Sequence, residues 1–259
     1  MRVVLVQAAS DVDKAANLMA VTQFLHRAER HRPDLVVFPE AFMQDFGKPD
    51  TGLGAAAEPL DGPFVSLLAE RARALEAVVI AGMFERSADR ERPYNTVVAL
   101  GAHGELLASY RKGHLYDSFG YRESDRLLAG EPRPVVIEVC DLTVGLMTCY
   151  DLRFPEFGRL LVDAGATAMA VPAAWVRGPL KEGHWETLVS ARAIENTCFV
   201  FGAAQCGSHY AGRSMIVDPM GVALASLGEG PGLAVADVDA ARVDEVRRLN
   251  PSLLNRRLH

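Results

Sequence analysis

The stretch TVGLMTCYDLRFPEFGRLLVDAGATAMAV, Thr143–Val171, contains a strand, a turn, a helix and a second strand in succession. Thr143–Thr148 is a short apolar run. Apolar residues then recur at helical spacing over Phe157–Ala164, and Gly165 ends the pattern. A second apolar run, Thr167–Val171, follows immediately. This order of elements favours a layered α/β architecture.

Similar apolar runs, bounded by turn residues, recur along the whole chain. Many are too continuously apolar to have a face in water, which predicts strands that are buried on both sides. The twelve predicted strands are Val3–Gln7, Leu35–Phe38, Val78–Phe84, Thr96–Leu100, Leu106–Tyr110, Val135–Val139, Thr143–Thr148, Thr167–Val171, Phe199–Ala204, Ser214–Val217, Val222–Ser226 and Leu233–Asp237.

Five helical patterns separate or follow these strands. Their apolar positions lie within Leu18–Ala28, Phe64–Leu75, Phe157–Ala164, Trp185–Glu195 and Ala240–Leu249. Asp11 and Asp13 are candidate caps of the first helix, and Gly62 with Pro63 marks the start of the second. Twelve strands form either one very wide sheet or two sheets packed face to face with helices outside. With no linker or repeat, we predict a single domain over residues 1–259.

Composition excludes several classes of function. The 259 residues are 49% hydrophobic and carry a net charge of -6, without the basic clusters that nucleic-acid binding requires. No apolar segment is long enough for a secretory signal or a membrane span, so we expect a cytoplasmic protein without membrane partners. The four cysteines lack the spacing of a zinc site, and the sequence predicts neither a metal nor a cofactor.

Reactive side chains follow three of the predicted strands. Glu40 comes after Pro39 at the end of one strand, Lys112 follows a second, and Cys149 follows Thr143–Thr148. In open α/β sheets, ligands bind beyond the carboxyl ends of strands. A carboxylate, an ammonium group and a thiol could therefore meet there, although spacing alone leaves open whether three strand ends converge.

Such a trio has a coherent chemical use. Glu40 could take the proton of the Cys149 thiol, which is mostly neutral at pH 7. Lys112 and the backbone N–H of Tyr150 could then stabilise the oxyanion formed when the thiolate attacks an amide. The product would be a thioester that water hydrolyses. The alternative for Cys149 is a buried structural thiol, which is also our expectation for Cys140, Cys198 and Cys206.

The turn after the nucleophile carries further charges. We expect Asp151, Arg153 and Glu156 to form an ion-pair brace that holds the turn, a structural role.

The segments around all three reactive residues resemble the nitrilase superfamily of carbon–nitrogen hydrolases. The motifs are VVFPE over 36–40, YRKGHLYD over 110–117 and GLMTCYDLRFPE over 145–156. The similarity extends over essentially the whole chain and includes VVLVQ over 3–7, ARAIEN over 191–196 and GRSMIVDPMG over 212–221. Three separate motifs in the family's order are far more specific than one short pattern.

The resemblance implies a Glu-Lys-Cys triad at Glu40, Lys112 and Cys149. It also implies a four-layer αββα sandwich with two six-stranded mixed sheets and outer helices, assembled as a homodimer without a cofactor. A second catalytic glutamate, which orients the lysine or the substrate, corresponds to Glu123. The alternative for Glu123 is a charge on a surface loop.

The branch that the sequence resembles contains omega-amidases and deaminated-glutathione amidases. Such enzymes act on acid-bearing amides, which implies a carboxylate-binding cation near the pocket. Arg177 is the candidate for that cation, and a solvated loop arginine is the alternative. Tyr116 and Trp175 are candidate substrate-binding residues, with core packing as the alternative for Trp175.

Three hypotheses about function therefore follow from the sequence. The first is hydrolysis of a terminal carboxamide of a small substrate to acid and ammonia through a Cys149 thioester. The second is hydrolysis of an N-carbamoyl compound or a nitrile by the same triad. The third, from another class, is a non-catalytic α/β protein whose thiol senses oxidants or electrophiles.

Overall fold

The computed structural model describes residues 1–258, which contain two six-stranded sheets. The first sheet has the order β14-β1-β2-β3-β4-β5. Its strands are β1 (Arg2–Gln7), β2 (Leu35–Val37), β3 (Val78–Glu85), β4 (Tyr94–Leu100), β5 (Leu106–Arg111) and β14 (Gly232–Asp237). Strands β1, β2 and β3 are parallel, and the other neighbours pair antiparallel, so the sheet is mixed.

The second sheet has the order β13-β12-β11-β10-β9-β8 and is mixed in the same way, with β9, β10 and β11 parallel. Its strands are β8 (Val136–Val139), β9 (Leu142–Leu146), β10 (Ala168–Ala173), β11 (Phe199–Ala204), β12 (Met215–Val217) and β13 (Ala223–Ser226). A separate two-stranded ribbon consists of β6 (Asp117–Ser118) and β7 (Tyr121–Arg122), which the sequence did not predict.

The two sheets pack face to face, and their central strands have apolar side chains on both faces. In β1, Val3 and Leu5 join the core between the sheets, whereas Val4 and Val6 pack on the helical side. All four side chains are fully buried. A strand with two buried faces requires the continuous apolar runs found in the sequence.

Within residues 1–258, five α-helices accompany the sheets: α1 (Lys14–Glu29), α2 (Pro63–Leu75), α3 (Pro155–Asp163), α4 (Lys181–Asn196) and α5 (Ala240–Leu249). The buried faces of α1 and α2 pack with the first sheet, and those of α3 and α4 pack with the second. The Asp13 carboxylate caps α1 by accepting from the N–H of Ala15 at 2.9 Å, which stabilises a helix by about 1 kcal/mol. The predicted αββα sandwich is confirmed.

Within residues 1–258, no helix combines the length and the apolar character needed to cross a bilayer.

Candidate active site

Three strand ends and the ribbon meet at one cavity of about 860 Å³. Glu40 follows β2, Lys112 follows β5, Cys149 follows β9 and Glu123 follows β7. The side chains of all four line this cavity, so the strand ends that the sequence left unconnected do converge.

Glu40, Lys112 and Glu123 form a buried charge cluster. The Lys112 ammonium donates to Glu40 Oε1 at 2.9 Å and to Glu123 Oε2 at 2.9 Å. Each of the three residues is at most 2% exposed. Asn95, on β4, donates from Nδ2 to Glu40 Oε1 at 2.7 Å, so the cluster holds Glu40 from two sides. The carboxylates and the ammonium group are thus fixed relative to one another before any substrate binds.

The backbone around Glu40 is equally constrained. The N–H of Ala174 donates to Glu40 Oε2 at 2.6 Å, and Gln205 Nε2 donates to the Glu40 carbonyl at 2.8 Å. The next residue, Ala41, has a φ of +51°, a left-handed conformation that a non-glycine residue rarely adopts. On β3, a Cβ at Gly82 would lie 2.6 Å from the Ala41 nitrogen, so only glycine lets this strand approach so closely.

The nucleophile candidate stands on a sharp turn. Cys149 has a φ of +44° and begins the 3₁₀ turn Cys149–Arg153, which leads into α3. Such backbone strain, of about 1–3 kcal/mol, is typical of functional turns. The Asp151 carboxylate accepts from the N–H of Thr148 at 3.0 Å and so closes the turn on itself.

Asp151 also ties this turn to the strand that carries Lys112. Its Oδ2 accepts from the Tyr110 hydroxyl at 2.9 Å, and its Oδ1 accepts from the N–H of His114 at 3.1 Å. The predicted ion-pair brace is therefore corrected. Asp151 holds the turn through these contacts and through His114 Nδ1 at 2.7 Å, and within residues 1–258 Arg153 forms an ion pair with neither Asp151 nor Glu156.

Electrostatics keep the thiol neutral in the resting site. Burial raises the pKa of the Cys149 thiol well above its ordinary value, and the neighbouring Glu40 carboxylate raises it further, against the opposing effect of Lys112. Burial alone would lower the pKa of Lys112, but Glu123 and Glu40 outweigh it and raise that pKa. Burial raises the pKa of the Glu123 carboxyl, which Lys112 offsets in part. The site therefore holds a carboxylate and an ammonium group beside a protonated thiol.

The four remaining predicted site residues also line the cavity. Tyr150 follows the nucleophile, and its N–H has no acceptor within residues 1–258, as expected for the opening of a helical turn. Tyr116 donates its N–H to Glu123 Oε2 at 2.6 Å. Trp175 is 3% exposed, so it both lines the cavity and packs in the core. Arg177 lies at the cavity wall with its guanidinium paired to Glu229 at 2.7 Å.

Some predictions differ from the structure. Cys140 is exposed, because it occupies the tight turn between β8 and β9 with a φ of +54°, whereas Cys198 and Cys206 are buried as expected. Sequence reasoning also missed Asn95 and Gln205. Both are fully buried polar side chains next to apolar strand residues, a placement that in itself signals a hydrogen-bonding task.

The similarities to known proteins agree with this geometry. Residues 2–248 match the family model described as carbon-nitrogen hydrolase. A deaminated glutathione amidase of Escherichia coli O157:H7 is 42% identical over 243 residues, which cover 93% of this chain and 89% of that protein.

Solved structures share the fold over nearly the whole chain. Nit3 of Saccharomyces cerevisiae, a member of branch 10 of the nitrilase superfamily, has a TM-score of 0.88 at 28% identity and covers 100% of this chain and 97% of its own. An amidase from Nesterenkonia sp. AN1, solved with acrylamide added to its active-site cysteine, has a TM-score of 0.80 at 28% identity, covering 98% and 99%. Together with the family match over residues 2–248, these similarities establish that the chain belongs to the carbon–nitrogen hydrolase family of the nitrilase superfamily.

Proposed function

We propose that this chain hydrolyses the terminal carboxamide of a small substrate to an acid and ammonia through a thioester on Cys149. The observation that carries the proposal is the neutral thiol beside a fixed carboxylate. Because burial and Glu40 raise the pKa of Cys149, the thiol cannot react as a standing thiolate and requires a base at the moment of attack. Glu40 is the carboxylate in place to serve as that base.

Acylation then uses each member of the cluster. Glu40 takes the thiol proton as the sulfur forms a bond to the amide carbon, and the carbonyl oxygen becomes an oxyanion. An ammonium group has three N–H donors. In the resting site Lys112 donates to Glu40 Oε1 and to both carboxylate oxygens of Glu123. One of these N–H groups turns to the oxyanion as it forms, and the N–H of Tyr150 supplies a second donor. When the C–N bond breaks, Glu40 returns the proton to the departing nitrogen, which leaves as ammonia.

Deacylation uses the same groups, with water as the nucleophile and the Cys149 sulfur as the leaving group. Glu40 takes a proton from a water molecule, whose oxygen attacks the thioester carbon. The same donors hold the second oxyanion, the C–S bond breaks, the acid is released, and the Cys149 sulfur takes from Glu40 the proton that came from the water. Glu123 stays outside the proton transfers and keeps Lys112 charged and oriented, in line with the raised pKa of Lys112.

The size of the cavity supports a substrate larger than a simple amide. Its volume of about 860 Å³ lies within the range of about 300–1,000 Å³ that is usual for small-molecule sites. Deaminated glutathione, for which the Escherichia coli relative is named, is a further candidate that this similarity favours. Its amide bonds are secondary, so the same steps on that substrate would release an amine in place of ammonia. A homodimeric assembly and a cytoplasmic location stay predictions.

The first prediction tests the nucleophile. Replacing Cys149 with alanine removes the sulfur that forms the proposed thioester, so we expect kcat/KM to fall by at least about 10⁴-fold. The measurement is release of ammonia from a panel of primary amides, omega-amides of dicarboxylic acids, carbamoyl amino acids and nitriles, with product acids followed by mass spectrometry.

The matched control is Cys140→Ala, which makes the same change at an exposed position outside the cavity and should retain wild-type activity. Turnover that survives in Cys149→Ala would refute the mechanism. Activity on nitriles or carbamoyl compounds but not on amides would favour the second hypothesis. A wild-type protein inert toward the whole panel, with a thiol that reacts only with oxidants, would favour the sensor.

A further inference from the structure

A buried arginine lies behind one wall of the cavity and has no acidic partner. Arg126 follows the 3₁₀ turn Glu123–Asp125, is 9% exposed and does not itself line the cavity. Among residues 1–258, no carboxylate forms an ion pair with its guanidinium. A buried charge without a counterion is costly unless hydrogen bonds satisfy it, so the contacts of this group indicate what the residue holds in place.

The guanidinium donates its hydrogen bonds to one loop and to the ribbon β6–β7. Its Nε and Nη2 donate to the Thr51 carbonyl at 3.1 and 2.7 Å, and Nη2 also donates to the Phe46 carbonyl. Its Nη1 donates to the hydroxyl of Tyr121, in β7, at 2.9 Å. Arg126 therefore joins both ends of residues 46–51, which we call the wall loop, to the ribbon.

The wall loop forms part of the cavity but has no regular structure of its own. It lies between β2 and α2, and its residues belong to no helix or strand. Phe46, Gly47, Lys48 and Pro49 line the cavity, and residues 48–51 are exposed. The position of such a segment depends on contacts with other elements, because few of its own backbone groups are protected.

Other contacts hold the N-terminal end of the wall loop. The carboxylate of Asp45, the residue before it, accepts from the Tyr210 hydroxyl at 2.7 Å. The ring of Phe46 packs edge-on against Phe84 of β3, with 5.2 Å between the ring centres. Arg126 adds a contact at the opposite end, at Thr51, and links the two ends through one rigid, planar group.

The same short turn carries Arg126 and Glu123. The N–H of Arg126 donates to the Glu123 carbonyl at 3.0 Å, so the anchor of the wall loop is fixed to the backbone of the charge cluster. Within residues 1–258, however, no hydrogen bond or ion pair joins the wall loop itself to Glu40, Lys112 or Cys149. The wall loop is therefore placed to contact a part of the substrate other than the reacting amide.

We propose that Arg126 is a positioning residue for substrate binding, which fixes the wall loop where it contacts the acyl chain of an amide held at Cys149. The proposal rests on the amidase function proposed above, because the wall loop and Cys149 belong to one cavity. Phe46 and Pro49 give this wall an apolar surface, which suits an apolar chain. A wall that is already ordered does not have to be ordered by the substrate, so the substrate binds more tightly.

The kinetic test compares acetamide with hexanamide, which share the reacting group and differ in the length of the acyl chain. In Arg126→Met, which keeps an apolar stem and removes the guanidinium, the ratio of kcat/KM for hexanamide to that for acetamide should fall by about tenfold, the equivalent of one hydrogen bond to a charged group. The loss should appear mainly in KM for hexanamide, because the triad is unchanged. Any effect that reaches Glu123 through the shared turn acts on both amides and cancels in the ratio. Arg126→Gln serves as a second neutral variant if the methionine variant unfolds.

Two further variants serve as controls. A lysine keeps the charge but lacks the planar fork that reaches two carbonyls at once, so Arg126→Lys should recover only part of the ratio. Arg122→Met removes an arginine charge from the same ribbon, at a side chain that is 70% exposed, and should change the ratio by less than about threefold. A ratio that is unchanged in Arg126→Met, or that falls equally in Arg122→Met, would overturn the proposal.

Hydrogen exchange of the wall loop separates this proposal from the proposed activity, because it requires no turnover. In Cys149→Ala, amide exchange over residues 44–53 should become at least about tenfold faster when Arg126→Met is added, and should not change when Arg122→Met is added. Faster exchange in a protein that hydrolyses no amide would refute the proposed activity and retain the hold of Arg126 on the wall loop. Hydrolysis of amides with unchanged exchange, or with an unchanged ratio, would retain the activity and refute the positioning role.

Discussion

Each end of the cavity contains a buried lysine, but the two lysines differ in their partners. Near Cys149, Lys112 lies between two carboxylates at 2.9 Å each, and all three side chains are buried. Near the start of α4, Lys181 contacts a hydroxyl and two aromatic rings. One end is electrostatically complete without a substrate, and the other lacks an anion.

This difference follows from what each end has to do. The proposed reaction needs the same charges in both acylation and deacylation, so a permanently fixed cluster avoids reorganisation at each step. A recognition group works differently, because a cation that already has a carboxylate partner gains little from a ligand. A buried cation without a carboxylate partner therefore indicates that the ligand supplies the negative charge.

Among the predictions that follow, a substitution in the Glu40–Lys112–Glu123 cluster should have the largest effect on activity. Replacing Glu40 with glutamine keeps the shape of the side chain but removes the base, so kcat/KM should fall by about 10³-fold or more, near the upper range for general acid–base catalysis. The pKa of the Cys149 thiol should nevertheless fall, because burial remains but the carboxylate that raised the pKa is gone and Lys112 is still charged. The enzyme would have more thiolate and less activity.

Both quantities can be measured in one background. The pH dependence of thiol alkylation gives the pKa of Cys149, and Cys140→Ala removes the exposed cysteine that would otherwise react. A pKa that rises in Glu40→Gln, or an activity loss of less than tenfold, would show that Glu40 is not the base.

A smaller loss of activity should follow when a substitution at a neighbouring residue shifts the backbone of Glu40 and leaves its side chain unchanged. In Gly82→Ala, the new Cβ would lie 2.7 Å from the Glu40 Cα, so the backbone that carries the carboxylate must shift. We expect kcat to fall by about 10- to 100-fold, as for a misplaced catalytic group, and stability to fall by about 1–3 kcal/mol from overpacking.

Gly183→Ala is the matched control, because that exposed glycine in α4 has no atom within 4 Å of the added Cβ. It should retain activity and stabilise the helix by about 1 kcal/mol, which thermal unfolding can measure. Equal activity losses in the two variants would contradict the idea that Gly82 fixes Glu40.

The fold and the candidate triad can be predicted from the sequence for a common reason. Strands buried on both faces require long apolar runs, and a polar residue directly after such a run stands out, as Glu40 and Cys149 do. The ribbon β6–β7 was missed because two-residue strands show no alternation. It nonetheless determines where Glu123 lies, immediately after Arg122.

Lys181 escaped prediction for a different physical reason. The residue before it, Leu180, has a φ of +61° and provides no side-chain cap, so α4 begins without a sequence signal. The apolar spacing consequently predicts a helix that starts nearer to Trp185 and assigns no element to Lys181. A charge that no acidic side chain neutralises can be identified only once the surrounding contacts are known.

The smallest effect is expected where the carboxylate-binding cation was first predicted. Arg177 pairs with Glu229 at 2.7 Å and donates to the Tyr210 carbonyl at 2.9 Å, and its side chain is 33% exposed. Because solvent screens such a pair, Arg177→Met should change the ratio of kcat/KM for glutaramate to that for pentanamide, which lacks the carboxylate, by less than about threefold. The same ratio is measured in Lys181→Met, which keeps the apolar stem and loses the charge. A loss as large as that of Lys181→Met would place the anchor at Arg177 and remove the distinction between a neutralised and an unpaired cation. A loss confined to Lys181→Met would show that charge balance, rather than mere presence in the cavity, identifies the residue that recognises the substrate.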